Sequence, residues 1–344
     1  MDSLGGEQIS TVPSVLVNSY LKSRSRIFGQ LNDLRKKGWA NTAADEHFRK
    51  QRRQADEAGS NLRRVFFNMM RRIGDEMEED TGAIALRNAA PRVLDLCAAP
   101  GGFIATALRY NPDATICGIT LPEALGGHPL LIPQGQEDPR VTVEFFDITM
   151  LGSEFGLDPC EFTKLTLSTH RPYIGKSFDL VFCDGQVLRT HAAHRAADEG
   201  REKGERQRLS CSQMILALQR IREGGTLIML LHKVESWHTL QILHTFFSFA
   251  SIRLHKPKRY HATRSSFYLI ATNVRATSSA AKTAITTWKA LWKEATFGQD
   301  VKQNDLIELE VKKLLEDFGS QLIELAEPIW HVQHAALSRQ PWTQ

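Results

Sequence analysis

Short apolar runs alternate with amphipathic segments between Pro91 and Asn273. Apolar runs of roughly four to eight residues that end in turn residues predict buried strands, and the segments between them predict helices. Strands and helices that alternate in this way are typical of a doubly wound α/β fold with a mostly parallel sheet. The seven predicted strands are Arg92–Leu96, Thr115–Thr120, Val141–Phe146, Phe178–Cys183, Thr226–Leu231, Ser251–His255 and Ser266–Thr272. The last two have no clear helix between them, which predicts a hairpin at the end of the sheet.

Helical patterns flank this region on both sides. Ser14–Met77 contains few glycines or prolines and repeats apolar residues at spacings of three and four. A linker of small residues, Thr277–Thr283, precedes the C-terminal helices, which are predicted over Ile285–Ala295, Asp305–Leu325 and Glu327–Leu337. Pro328 fits the opening turn of the last helix. We therefore divide the chain into a basic helical N-terminal region (1–90), an α/β domain (91–275) and a helical C-terminal extension (276–344).

Composition narrows the class of protein. The chain has 344 residues, of which 42% are hydrophobic and 24% charged, as expected of a globular protein. No apolar run approaches the ~18 residues that a membrane span needs, and residues 1–17 do not resemble a secretory signal. The five cysteines are odd in number and form no C-x-x-C pair. We therefore expect an intracellular protein, in the nucleus or cytoplasm, with reduced cysteines and no membrane segment or structural metal.

Basic residues cluster in the N-terminal region although the net charge is only +4. The cluster consists of Lys22, Arg24, Arg26, Arg35–Lys37, Arg49–Arg53, Arg63–Arg64 and Arg71–Arg72. It is either a solvated helix face or a surface that follows a phosphate backbone.

The segment Arg189–Arg208, which follows a predicted strand, also has two interpretations. It is either a mobile surface loop or a lid that binds RNA. The tryptophans of the C-terminal extension are predicted to pack against the α/β domain, with base stacking as the alternative.

The segment Val93–Phe103, which reads V-L-D-L-C-A-A-P-G-G-F, is the most specific motif of the chain. Its apolar run ends at Asp95, and the Pro-Gly-Gly turn leads into a helix predicted over Phe103–Tyr110. Open α/β sheets bind ligands at the carboxyl ends of their strands. The free N–H groups at the start of a helix and two glycines without Cβ atoms both suit a closely approaching ligand. The motif therefore predicts a site for a nucleotide-like ligand.

Polar residues also close the next four strands. In chain order they are Thr120, Asp147 followed by Ile148, Asp184 and Lys233. A lysine at the end of an apolar strand needs a partner or a function. We therefore expect Asp184 and Lys233 to converge beside the ligand site, as a catalytic pair or as a plain salt bridge. Asp147 has the alternative role of capping the turn after its strand.

The motif D-L-C-A-A-P-G-G-F resembles motif I of the FtsJ-like S-adenosylmethionine (SAM) methyltransferases, which usually reads D-L-G-A-A-P-G-G-W. The resemblance covers roughly residues 91–273 and implies a Rossmann-like methyltransferase fold with SAM as the cofactor. The residues that it implies for SAM binding are Asp95, Ala98, Pro100, Gly101, Gly102, Phe103, Thr120, Asp147, Ile148 and Asp184. Thr120 stands where most such enzymes carry an acid for the ribose hydroxyls, with Glu123 or the Gly126–Gly127 turn as alternatives. Asp147 matches the position that reads the adenine amino group.

Asp184 and Lys233 are similar to the middle residues of the K-D-K-E tetrad of ribose 2′-O-methyltransferases in this family. By resemblance, Lys233 is the base for a ribose hydroxyl and Asp184 orients it. The first and last positions of the tetrad differ from the family. Gln30 stands where the family has a lysine, and Ser266 stands where it has a glutamate. The residues of these two segments that we expect to contact the substrate are Arg26, Gln30, Arg264 and Ser266.

These features together predict a SAM-dependent methyltransferase that acts on a ribose 2′-hydroxyl of RNA. The altered tetrad motivates an alternative, a catalytically silent relative that binds RNA or a protein partner. A third hypothesis is a methyltransferase for a small molecule or a protein, against which the basic N-terminal region stands.

Overall fold

A computed structural model describes residues 12–43, 46, 49, 60–132, 138–161, 167–187, 204–298 and 307–343. The strands are β1 (Arg92–Asp95), β2 (Thr115–Thr120), β3 (Val141–Phe145), β4 (Phe178–Cys183), β5 (Ile221–His232), β6 (Ser251–His255) and β7 (Ser266–Val274). The helices, numbered in chain order, are α1 (Val12–Arg24), α2 (Arg26–Trp39), α3 (Ser60–Thr81), α4 (Gly102–Tyr110), α5 (Glu205–Arg220), α6 (Trp237–Phe247), α7 (Ser279–Phe297) and α8 (Ile307–Leu337). Among the described helices, none is long and apolar enough to cross a membrane.

The strands form one seven-stranded sheet in the order β3-β2-β1-β4-β5-β7-β6. The pairs from β3 to β5 are parallel, whereas β7 runs antiparallel to both of its neighbours. This order confirms the predicted doubly wound, Rossmann-like fold and its terminal hairpin. It also brings the carboxyl ends of β1 to β5 to the same edge as the beginning of β7.

Two apolar cores cover the two faces of the sheet, because alternate residues of each strand face opposite sides. On one face, α3 and α4 pack through Met70, Ile73 and Phe103 onto alternate residues of the strands. On the other face, residues of α1, α2 and α5–α8 form the larger core with the remaining strand positions. The N- and C-terminal helices therefore share a core with the α/β domain.

The C-terminal helices differ from the prediction at two points. The observed linker is shorter than predicted, since α7 begins at Ser279. The helix begins there because the hydroxyl of Ser278 caps it by accepting a hydrogen bond from the N–H of Ala281. Pro328 does not open a separate helix but lies inside α8. Ala326 and Ile329 on either side of it are buried, and this packing offsets the backbone hydrogen bond that proline cannot donate.

The tryptophans of the C-terminal extension pack as predicted. Trp288, Trp292 and Trp330 are buried, and the ring of Trp330 lies 4.8 Å from that of Phe28 on α2. The indole N–H of Trp292 donates to the carbonyl of Thr149, 3.0 Å away, in the turn after β3. The predicted loop Arg189–Arg208 lies mostly outside the described residues, and only its last residues are seen, at the start of α5.

Candidate active site

A cavity of about 390 Å³ runs along the edge of the sheet where the parallel strands end. Seven of the predicted site residues line it, namely Pro100, Thr120, Asp147, Ile148, Asp184, Arg264 and Ser266. The first five come from the last residue of β2 and from the loops after β1, β3 and β4, and the last two come from the start of β7 and the loop before it. A single cavity is therefore lined both by most of the strand-end residues that we expect to bind the cofactor and by two residues that we expect to bind the substrate.

Two carboxyl groups lie on neighbouring strands at the centre of this edge. Asp95, which is fully buried, accepts a hydrogen bond from the N–H of Cys97 through one oxygen, while its other oxygen has no partner in the described part of the chain. Asp184 accepts a hydrogen bond of 3.0 Å from the hydroxyl of Tyr268. Burial raises the pKa of Asp95 to about 7 and that of Asp184 to about 8. Carboxylates that are this poorly solvated fit a cationic group such as the sulfonium of SAM.

The two glycines of the motif allow neighbouring protein segments to approach the turn closely. Gly101 has a φ of +100°, and a Cβ atom there would overlap the side chain of Ile132. A Cβ atom at Gly102 would lie 2.7 Å from the carbonyl oxygen of Phe67 on α3. The glycines thus let these protein segments pack closely over the turn, and their role in binding the cofactor stays a prediction.

Three other residues of the motif region lie behind the cavity rather than on its wall. Asp95 and Ala98 are fully buried, and the ring of Phe103 stacks on that of Phe182 with 5.0 Å between centroids. Their side chains support the wall from the core, and of the predicted motif residues only Pro100 lines the cavity in the described part of the chain. The part of the motif that lines the cavity consists of Leu96, Cys97, Ala99 and Pro100.

The ends of β2 and β3 provide the opposite wall. The hydroxyl of Thr120 accepts a hydrogen bond from the N–H of Ala99 at 3.3 Å. The carboxylate of Asp147 accepts hydrogen bonds from the N–H and hydroxyl of Thr149 at 2.9 and 2.7 Å. Asp147 therefore caps the turn and also lines the cavity, so both of its predicted roles are compatible with its position. Glu123 is exposed and lies 3.9 Å from Arg63.

The sheet does not place Lys233 directly beside Asp184. In the parallel register of β4 and β5, Cys183 pairs with Met229, so Leu230 lies opposite Asp184 and Lys233 is three residues further along. Leu230 and His232 line the cavity, whereas Lys233 is absent from the described residues that do so. The backbone N–H of Lys233 donates to the carbonyl of Ser265 at 2.9 Å, where the chain leaves β5. The catalytic role of Lys233 stays a prediction.

Arg26 and Gln30 lie away from the cavity. Both are exposed residues of α2, which packs against α8 on the opposite face of the sheet from α3 and α4. It is α3 that lies beside the motif and contributes Phe66, Met69 and Met70 to the cavity wall. α3, which lies between α2 and β1 in the chain, packs against α4 and so takes the position beside the motif.

Four polar residues of the site were not singled out from the sequence. They are Gln186, His232, His261 and Tyr268. His261 is buried, its ring lies parallel to that of Tyr268, and its Nδ1 atom has no hydrogen-bond partner among the described residues.

A cluster of possible metal ligands lies outside the cavity lining. Glu76, Asp80 and His255 place ligand atoms within 4.8 Å of one another. The ammonium of Lys258 lies 2.9 Å from a carboxylate oxygen of Asp80, so a cation already neutralises this group. Among the described residues, the cluster fits an ion-pair network.

Comparisons with known proteins identify the family of this chain. The family model of the FtsJ-like methyltransferases matches residues 75–274, which is more than half of the chain. No protein with a curated description matches it. The chain is similar to the solved structure of a Plasmodium falciparum protein assigned as a ribosomal RNA methyltransferase, with 16% identity, 58% of this chain and 94% of that chain covered, and a TM-score of 0.37. It is similar to human methyltransferase-like protein 13 in complex with SAH, with 11% identity, 69% and 97% covered, and a TM-score of 0.36. By the family match, this chain belongs to the FtsJ-like methyltransferases.

Proposed function

We propose that the protein transfers the methyl group of SAM to a ribose 2′-hydroxyl of RNA. FtsJ-like methyltransferases use SAM, which supplies a methyl group bound to a positively charged sulfur. The observation that carries the proposal is one continuous cavity, from Pro100 and Asp147 at one end to Arg264 and Ser266 at the other. Asp184 lies between these ends, so the cofactor and the acceptor would meet beside its carboxyl group.

Basic side chains around the cavity support RNA as the acceptor. Arg63, Arg71 and Arg72 lie on α3, the helix that forms part of the cavity wall, and Arg264 lines the cavity itself. Cations placed in this way bind phosphates and release counterions, so we expect RNA affinity to fall steeply with salt. This distribution of charge favours RNA over a small neutral molecule.

One observation favours a second candidate function. Leu230, rather than a lysine, lies opposite Asp184 in the sheet. The resemblance assigns the base to Lys233, which lies three residues beyond this position. A relative that binds SAM and RNA without transferring the methyl group would have no need of a base at this point.

SAM affinity is expected to decrease as the pH is lowered from about 9 to about 6. Asp95 and Asp184, with pKa values of about 7 and 8, take up protons over this range, and a neutral carboxyl group attracts the sulfonium less. By linkage, binding near pH 7 should release protons. Calorimetry in two buffers of different ionisation enthalpy measures both quantities, with Asp95→Asn expected to weaken the pH dependence. An affinity that is constant over this range would contradict the assignment of the two acids to the cofactor site.

The function is tested by incubating the purified protein with RNA and SAM that carries a deuterated methyl group. Mass spectrometry of the digested nucleosides should then detect the label on a 2′-oxygen. For each labelled site, an oligonucleotide with a single 2′-deoxy substitution serves as the matched control and should not be labelled. Label on a base would contradict ribose specificity, and SAM binding without any labelled RNA would support the silent relative.

A further inference from the structure

We infer that His232, oriented by Gln186, is the proton acceptor for the attacking hydroxyl. The inference rests on the proposed methyl transfer and names the base within the same cavity. His232 is the last residue of β5 and faces the cavity together with Leu230, since alternate residues of a strand point to the same side. It lies two residues beyond the position opposite Asp184, which corresponds to about 7 Å along the strand. The hydroxyl and the methyl donor could meet in the space between these two side chains.

Gln186 determines which ring nitrogen of His232 can accept a proton. The amide nitrogen of Gln186 donates to the carbonyl of Gly185 at 2.9 Å, which leaves its amide oxygen facing Nε2 of His232 at 2.8 Å. An amide oxygen only accepts hydrogen bonds, so Nε2 carries the hydrogen. The lone pair is then on Nδ1, the nitrogen that can receive a proton.

Buried contacts hold both partners of this pair in place. Gln213, which is 2% exposed, accepts a hydrogen bond from the N–H of Gly185 at 2.8 Å and donates to its carbonyl at 3.3 Å. The hydroxyl of Thr239 donates to the backbone carbonyl of His232 at 2.7 Å. The loop that carries Gln186 and the end of β5 are therefore both anchored, as a positioned base requires.

Desolvation and the cations around His232 keep its ring neutral, so that one ring nitrogen holds a free lone pair. Four cations act on it, and they are Lys256 after β6, Arg206 of α5, Lys233 directly after β5 and Arg264 in the loop before β7. The titratable groups Glu205, His261 and Asp184 line the same cavity. Desolvation, followed by the nearby cations, lowers the pKa of His232 to about 4. Phosphates of a bound RNA would offset these cations and raise the pKa towards the working pH. The sulfonium of bound SAM would favour the ionised form of Asp184, and this carboxylate in the same cavity would then stabilise the protonated ring.

The proposed step balances without a further reactant. The hydroxyl oxygen forms a bond to the methyl carbon while the carbon–sulfur bond breaks, and the sulfur keeps the electron pair. The hydroxyl proton moves to Nδ1 of His232, and the imidazolium later loses it to water. The products are S-adenosylhomocysteine and a 2′-O-methyl ribose.

The first test compares variants in single-turnover methylation of a labelled RNA. His232→Ala should lower the rate by about 10²–10⁴-fold, leave SAM affinity unchanged, and be partly rescued by added imidazole. His331→Ala, which removes an exposed histidine of α8, is the matched control and should retain the full rate. Lys233→Ala separates the two candidate bases and should retain most of the rate. Loss of activity in Lys233→Ala with a normal His232→Ala would overturn the inference and leave the proposed function standing.

The second test does not depend on turnover. Nitrogen-15 NMR of the histidine rings should show the hydrogen of His232 on Nε2 in the wild type and in Gln186→Glu, but a mixture of tautomers in Gln186→Ala. With S-adenosylhomocysteine bound, a mixed-sequence RNA oligonucleotide should shift the Nδ1 signal, and its all-2′-deoxy counterpart should not. A wild-type ring with its hydrogen on Nδ1, or equal shifts with both oligonucleotides, would overturn the role of His232. If these signals behave as expected but the wild type labels no RNA, it is the proposed methyl transfer that fails.

Discussion

Replacing Asp184 with asparagine is expected to lower the rate of methyl transfer by about 10²–10³-fold. Asparagine has the same shape and can still accept the hydrogen bond from Tyr268, so the geometry of the site is kept. When SAM is bound, its sulfonium favours the ionised form of Asp184. Asparagine removes this negative charge, and with it the stabilisation of the positive charge that develops on the base. Single-turnover kinetics with a labelled RNA measures this change.

The same substitution should raise the thermal stability of the protein at high pH. The folded pKa of Asp184 is about 8 and its ordinary value is 3.8, so ionisation costs stability as the pH rises between these values. The melting temperatures of wild type and Asp184→Asn should coincide near pH 4 and diverge towards pH 8. Identical temperatures at pH 8 would show that the carboxyl group is well solvated.

Asp179 offers a matched control at the opposite end of the same strand. It is buried and pairs with Arg222 at 2.6 Å, far from the cavity. Asp179→Asn should therefore destabilise the fold without changing the methylation rate per folded molecule. A lower methylation rate in Asp179→Asn with unchanged stability would contradict the location of the active site at the carboxyl ends of the strands.

Replacing Trp292 with alanine is expected to cost about 3–5 kcal/mol of folding free energy. Its ring is fully buried and lies 4.7 Å from that of Phe155, so alanine would leave a large cavity. Its N–H also holds the carbonyl of Thr149, which belongs to the turn that lines the cavity. Trp292→Phe, which removes this hydrogen bond and keeps an aromatic ring, should weaken SAM binding roughly two- to tenfold.

Denaturant unfolding and SAM calorimetry check these effects. Trp39, which is 69% exposed on α2, provides the matched control, and Trp39→Ala should change stability by no more than about 0.5 kcal/mol. A Trp292→Ala protein with normal stability would contradict a shared core. In that case, the C-terminal extension would be a separate unit.

The fold could be predicted from local sequence patterns. Each predicted strand corresponds to an observed one, because a buried strand in a parallel sheet needs an apolar run that its own residues supply. Asp147 and Asp184 were located by the same reasoning, since strand ends of a parallel sheet meet at one edge. The errors lie at element boundaries, as at Pro328, where buried contacts with remote helices outweigh a local signal.

The site was harder to predict from the sequence, because its lining depends on contacts between segments that are distant in the chain. The close packing at Gly102 depends on α3, and that at Gly101 depends on Ile132. The choice between Lys233 and His232 depends on the register between β4 and β5, which no residue of β5 reveals alone.

The sequence by itself determined a Rossmann-like sheet, the family, and the location of Asp147 and Asp184 at the edge of the sheet where the parallel strands end. These properties follow from hydrophobic periodicity and from a contiguous motif, both of which are local. Only the tertiary structure decided that α3 rather than α2 borders the cavity, and that His232 rather than Lys233 faces it. Both outcomes result from packing and strand register, whose energies depend on pairs of residues far apart in the chain.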